Sequence, residues 1–340
     1  MSKKSRLFAI LAISLGTLIM LVSLVSCGFN FKDLDTAKKE TNEYETSESF
    51  NDIYVCSDTA DVTFIPTESN SVKVVCKNEK KNMKHDVSVN NGTLEIKIND
   101  ERKWYDHINL FSFGEAEILV YLPENEYDEL KIESDTSDVE IPANFKFNSI
   151  DVSLSTGDTE CYASATEFIK ISVSTGETEV AGVTTGTLEI TASTGDVDID
   201  RVNAQRVSVK TTTGDIDVSN LTVNGAFSTN VSTGEIEICD VSCKSFASTG
   251  STGELSITRL VATEMMNIKR DTGDVTLNEC DAVEILIETD TGDVKASLLT
   301  EKVFITRTDT GKIRVPETTT GGKCKITTDT GDITVSVNNG

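Results

Sequence analysis

The chain of 340 residues carries 56 acidic against 31 basic side chains, a formal net charge of −25, and only 2 His. That balance argues against nucleic acid as a partner, because phosphates would be repelled. It also argues against docking flat on anionic lipid, and the 8 Cys include no C-x-x-C pair, so their spacing argues against a thiolate metal centre.

Lys3, Lys4 and Arg6 precede an uncharged, mostly apolar stretch from Leu7 to Val25. Leu24-Val25-Ser26-Cys27 then resembles the signal of a bacterial lipoprotein, in which Cys27 would be lipidated and become the mature N-terminus. The alternative is an uncleaved anchor, since a span of about nineteen apolar residues can just cross a bilayer. Lipidation is favoured. Both readings make residues 1–27 a signal or anchor and place the rest at the extracytoplasmic face of the cell membrane. Loss of those residues removes three basic and no acidic side chains, leaving −28. Residues 28–44 are polar and read as a spacer.

Residues 45–130 read as irregular first coils that cap an open end. Asp58-Thr59-Ala60-Asp61 is a worn copy of the corner motif described below, and Val87 to Ile96 and Glu117 to Leu122 alternate as strands do. The run from Trp104 to Phe113 holds the single Trp of the chain. It reads chiefly as packing over the rod's end. Ligand contact through Trp104, Tyr105, Phe111 and Phe113 is the alternative. His85 and His107 have no nucleophile pattern beside them and read as structural or solvent-exposed.

Residues 131–340 are governed by ten glycines: Gly157, Gly176, Gly195, Gly214, Gly234, Gly253, Gly273, Gly292, Gly311 and Gly331. Their intervals are 19 or 20 residues, each follows Thr, and nine of the ten precede Asp or Glu. A period of that length marks a solenoid, in which one coil cannot bury its apolar face alone. Aliphatic residues recur two and four after each Gly and five and seven before it, as in Val197, Ile199, Ile190 and Leu188. Between them lie mostly Ser, Thr, Asp, Glu and Lys. This is the period-two alternation of strands with one face in and one out, two strands to a coil. Ser137 replaces Gly in an upstream corner at Asp135–Asp138. Cys161 and Cys324 occupy inward positions as small hydrophobes. The C-terminus follows the last corner closely, with no obvious cap, so that coil's edge is expected to be exposed or paired with something outside this chain.

The corner acids would stack at strand spacing. In the later coils a second acid precedes Gly, and Asp271, Asp274, Asp290, Asp293, Asp309, Asp329 and Asp332 are candidate Ca²⁺ ligands. The favoured reading is that they cap turn amides and face water. No other cofactor is expected.

The corners Ser155-Thr156-Gly157-Asp158, Ser193-Thr194-Gly195-Asp196-Val197 and Asp271-Thr272-Gly273-Asp274-Val275 resemble a known group. With Ile53-Tyr54-Val55, Asp61-Val62 and Leu119-Val120-Tyr121-Leu122-Pro123, they resemble the bacterial "putative adhesin" family of β-strand-repeat envelope proteins, a domain of unknown function. The resemblance spans roughly residues 45 to 340. It implies an all-β, single-stranded right-handed β-helix with 19–20-residue coils, and no catalytic residues. The expected function is an extracytoplasmic, membrane-anchored, adhesin-like binding or structural protein, not an enzyme, with an envelope glycan or a surface protein as partner. The alternatives are an envelope-stress accessory that contacts a membrane sensor and, less favoured, a glycan-active β-helix enzyme.

Overall fold

Each coil turns at its glycine for two reasons. All ten corner glycines have φ between 128° and 157°, a region L side chains rarely enter. Each also lies against the backbone of a neighbouring coil, so that a Cβ on Gly195 would collide with the Gly176 carbonyl oxygen. The Gly195 N–H in turn donates to the Thr213 carbonyl at 3.0 Å. The computed structural model describes residues 39–80, 83–100 and 116–338, and all their regular structure is β. The described chain is thus an all-β solenoid with coils of 19 or 20 residues. No described helix is long and apolar enough to cross a membrane.

The coil from Lys146 shows the plan. Lys146–Thr156 forms one wall and Thr159–Cys161 the other. Ser164–Thr175 and Thr178–Ala181 stack on them in parallel. Register places Ile150, Ile169, Leu188 and Val207 in one inward column. All four are fully buried, and each such burial contributes about 1.5–3 kcal/mol. Cys161 and Cys324 are buried beside the aliphatics they replace.

A second bend opposes the glycine corner. Gly182, Arg201, Asn220, Asp240, Arg259 and Glu279 stand six residues after their corner glycines, with φ between 51° and 70°. In the later coils the strand runs through this bend unbroken, as in Ile236–Thr252, Leu255–Thr272 and Val275–Thr291.

The N-terminal end is built differently. Strands β1 (Lys39–Thr46), β2 (Asp52–Ser57), β3 (Ala60–Thr67), β4 (Val72–Lys80), β5 (Met83–Asn90), β6 (Thr93–Asp100), β7 (Ala116–Pro123) and β8 (Glu126–Thr136) surround it. The segment expected as spacer to residue 44 is therefore strand from Lys39 onward. On one wall β6 and β8 flank β2 in parallel, and β5 closes the edge antiparallel to β6. On the other, β7 is parallel to β3, β4 runs antiparallel to β7, and β1 runs antiparallel to β4. β4 and β5 meet antiparallel at Lys80 and Met83, so two consecutive strands serve the two walls, with β1 outermost on one and β5 on the other. Tyr127, Phe147, Phe145 and Phe64 form a buried aromatic cluster inside the first coils.

At the far end the coils leave chain order. Val275–Thr291 pairs with Gly322–Thr330, which pairs in turn with Lys302–Thr310. The last coil is an interior coil, and the coil before it is the outermost. The sequence expectation of an exposed final edge is corrected accordingly. Ile313, expected inward, is 42% exposed, while its register partner Ile333 is fully buried. Among the described residues no coil lies beyond Ile313. Lys302 holds this crossing: its Nζ lies 2.6 Å from Asp281 Oδ1 and 2.5 Å from Thr300 Oγ1, and the residue is buried.

Candidate functional site

The strand residues two and four before each corner point outward, and in the early coils they are small. Ser153, Ser155, Ser172, Ser174, Thr191 and Ser193 line a trough of about 770 Å³ on one wall. Leu154 and Val173 contribute to its floor, and Glu133, Asp135 and Asp58 bring carboxyl groups to its N-terminal end. Parallel pairing holds the serine rows in register from one coil to the next. The surface thus presents fixed hydroxyls flanked by acids. Tyr54 on β2 donates its hydroxyl proton to Glu133 Oε2 at 2.6 Å, and Lys131 pairs with Glu133 Oε1 at 2.8 Å. These two contacts, led by Lys131, hold the Glu133 carboxyl below its ordinary range.

The trough ends against a buried polar cluster. Ser57, the last residue of β2, lines the trough, and its Oγ lies 3.3 Å from His85 Nε2 on β5. His85 Nδ1 lies 2.9 Å from Glu79 Oε1, which also accepts the His85 backbone N–H at 2.6 Å. Glu79 Oε2 accepts from Asn42 Nδ2 at 2.5 Å. Cys76 completes the group, and burial with the nearby Glu79 charge pushes its thiol up to about 12. Cys76 and Glu79 are each 2% exposed and His85 is 9% exposed. Among the described residues these three alone gather metal-ligand atoms from three side chains, all within 4.8 Å of one another. Ser57 Oγ also accepts the Ala60 N–H at 3.1 Å, so it caps its own turn.

The corner acids do a different task. Asp138 accepts the Asp158 N–H, Asp158 accepts that of Glu177, and Asp196 accepts that of Asp215, at 2.7–2.9 Å. Asp274, Asp293 and Asp332 accept in the same way from Asp293, Asp332 and Lys312. Each of these Asp rungs thus has one carboxyl oxygen committed to the next coil's amide. No such bond is made by Glu177, Glu235 or Glu254, whose side chains are one methylene longer. Asp271, Asp290, Asp309 and Asp329 are exposed, and Asp309 pairs with Arg307 at 2.9 Å. Among the described residues the seven acids proposed for Ca²⁺ gather no three donor atoms at one point.

A second acidic row runs on the opposite wall, where Glu140, Glu160, Glu179, Asp198, Asp217 and Glu237 stack in register. Burial and the neighbouring acids raise the carboxyls of Asp198 and Asp217 above their ordinary range. Cys27, Trp104, Tyr105, His107, Phe111 and Phe113 lie outside the described residues. His85, read from sequence as structural or exposed, is buried at the centre of the cluster. Its nearness to Ser57 follows from β5 and β2 flanking β6, which the alternation of Val87 to Ile96 hints at without giving partners.

No curated protein matches the chain. Among solved structures, a Parabacteroides distasonis protein named "putative lipid binding protein" is 19% identical, with a TM-score of 0.44 over 76% of this chain and 95% of that one. A "putative adhesin" from the same species is 13% identical, with a TM-score of 0.41 over 86% and 98%. A Bacteroides fragilis "putative adhesin" is 14% identical, with a TM-score of 0.37 over 88% and 98%. The Toastrack DUF4097 family model matches residues 50–241 and 227–340, and the chain belongs to that family.

Proposed function

We propose that this chain is an adhesin-like binding protein of the cell envelope, anchored through its N-terminal segment at the extracytoplasmic face. The observation that carries the reading is the trough: hydroxyls of Ser153, Ser172 and Thr191 and carboxyls of Asp58 and Asp135 on a rigid sheet. Such a surface suits a polyhydroxylated ligand, which exchanges its water for fixed donors and acceptors. The ligand class proposed is an envelope glycan, and the role is binding rather than catalysis. A net charge of −25 keeps the rod off an anionic surface while the anchor holds its base.

A second reading is an envelope-stress accessory touching a membrane sensor. It draws on the position of the trough and cluster in the first coils, nearest the anchored end. Retention of the full chain on washed envelope fractions, with and without prior digestion of the glycans, tests the first reading. Retention lost on digestion supports it, and equal retention on digested material contradicts it. A stress reporter that responds to deletion of residues 45–130, with retention unchanged, would favour the second. Palmitate labelling of wild type but not of Cys27→Ala is expected if the anchor is a lipid.

A further inference from the structure

We propose that Cys76, Glu79 and His85 form a site for one divalent transition-metal ion, zinc foremost, at the closed end of the solenoid. The three donor atoms lie within 4.8 Å of one another. A tetrahedral zinc shell, with bonds of about 2.0–2.3 Å, places its ligands roughly 3.3–3.8 Å apart. Only small side-chain shifts separate the two arrangements. A thiolate and an imidazole joined by one carboxylate select zinc and its neighbours over Mg²⁺ or Ca²⁺.

The surroundings fit an outer shell. A metal-bound imidazole needs a partner for its other nitrogen, and His85 Nε2 has one in Ser57 Oγ at 3.3 Å. Glu79 Oε2 is held by Asn42 Nδ2 from β1. A metal at Nδ1, Oε1 and Sγ leaves both contacts intact and replaces the Nδ1–Oε1 hydrogen bond, while Oε1 keeps the His85 backbone N–H. The thiol proton of Cys76 is released as the Sγ–metal bond forms. A cavity of about 250 Å³, bordered by Glu79, His85, Met83, Ile98 and Thr136, adjoins the cluster. It leaves room for a water or an outside ligand in the fourth position.

The site also has a structural consequence. β4 belongs to one wall through β7, and β5 to the other through β6. An ion shared by Cys76 and Glu79 on β4 and His85 on β5 therefore clamps the two walls at the N-terminal end of the solenoid. Ser57, His85 and Glu79 also trace the outline of a hydrolase triad. Ser57 is buried and turned to the Ala60 amide, however, and that reading gives Cys76 no part.

The test uses the full chain, stripped with chelator and titrated with Co²⁺. The expected result is a saturable thiolate-to-cobalt charge-transfer band at one ion per chain, competed away by Zn²⁺, with Tm raised by several degrees. Cys76→Ser should lose the band, while Cys239→Ser, at a half-buried Cys outside the cluster, should keep it. His85→Gln should weaken binding at least tenfold. If Cys76→Ser fails to fold, the wild-type spectrum and His85→Gln decide. A saturated wild type with no charge-transfer band, or a band of undiminished strength in either Cys76→Ser or His85→Gln, would overturn the proposal.

Discussion

Asp293 and Asp332 are 39 residues apart in the chain, yet the Asp293 Oδ1 accepts the Asp332 backbone N–H at 2.8 Å. The next rung runs backward, from Asp332 Oδ1 to the Lys312 N–H. The corner ladder thus records the spatial order of the coils. Hydrogen exchange should follow that order rather than distance from the terminus. Amides of Gly322–Thr330, paired on both sides, should exchange at least tenfold more slowly than those of Lys302–Thr310, paired on one. Equal protection, or the reverse ranking, would contradict the crossing.

The rungs separate Asp from Glu. Asp215 Oδ1 accepts the Glu235 N–H at 2.7 Å, but Glu235 and Glu254 pass nothing on. Glu254→Asp should add a bond to the Asp274 amide and stabilise the chain by about 0.5–1 kcal/mol, read from urea unfolding. Asp196→Ala should cost about the same. A cost for Glu254→Asp would show that the rung is not limited by side-chain length.

Arg270 is fully buried, with Nη2 donating to Ser248 Oγ at 3.0 Å and no acid beside it. Its Nε and Nη1 have no hydrogen-bond partner, and burial lowers its guanidinium to about 10. It fits only because residue 250 is Gly, where a Cβ would collide with the guanidinium. Arg270→Met should stabilise by about 1–3 kcal/mol, because a buried charge without a partner is costly. Gly250→Ala should destabilise the wild type and cost far less beside Arg270→Met, a coupling that a double-mutant cycle measures.

Burial pushes the thiols of Cys161, Cys243 and Cys324 from near 9 up to about 12. The folded chain keeps these thiols neutral, while the unfolded chain ionises them above pH 9. Their contribution is therefore complete below pH 9 and is lost as pH rises toward 12, by about 1.4 kcal/mol per thiol per pH unit. In reducing buffer, Tm should fall steeply above pH 9, and Cys161→Val should make that fall shallower. An unchanged slope in Cys161→Val would contradict this assignment.

The legible part of the fold was whatever repeats in sequence. The Thr-Gly-acid period predicts the corners, the coil length and the inward columns, and it reaches back to Asp58–Asp61, where Asp61 Oδ1 accepts the Asp138 N–H. The crossing was hidden because Gly292, Gly311 and Gly331 keep the same period whichever of them is outermost. The second bend was hidden because Arg201, Arg259 and Glu279 adopt φ near 50–55° without the glycine that would announce it. The cluster was hidden for a different reason. Cys76, Glu79 and His85 share no metal-binding spacing, and only the antiparallel turn at Lys80 and Met83 folds His85 back onto Glu79. β1 was hidden by composition, since Lys39–Thr46 is polar but half-covers the β4 edge.

Glycan binding in the trough is measured as the affinity of the purified full chain for soluble envelope glycan fragments, compared with Ser172→Trp, which fills the trough without touching the core. The wild type should bind saturably, and the variant should lose at least tenfold in affinity, about 1.4 kcal/mol. Equal affinity in the two proteins, or a wild type that binds no fragment, would contradict binding in the trough.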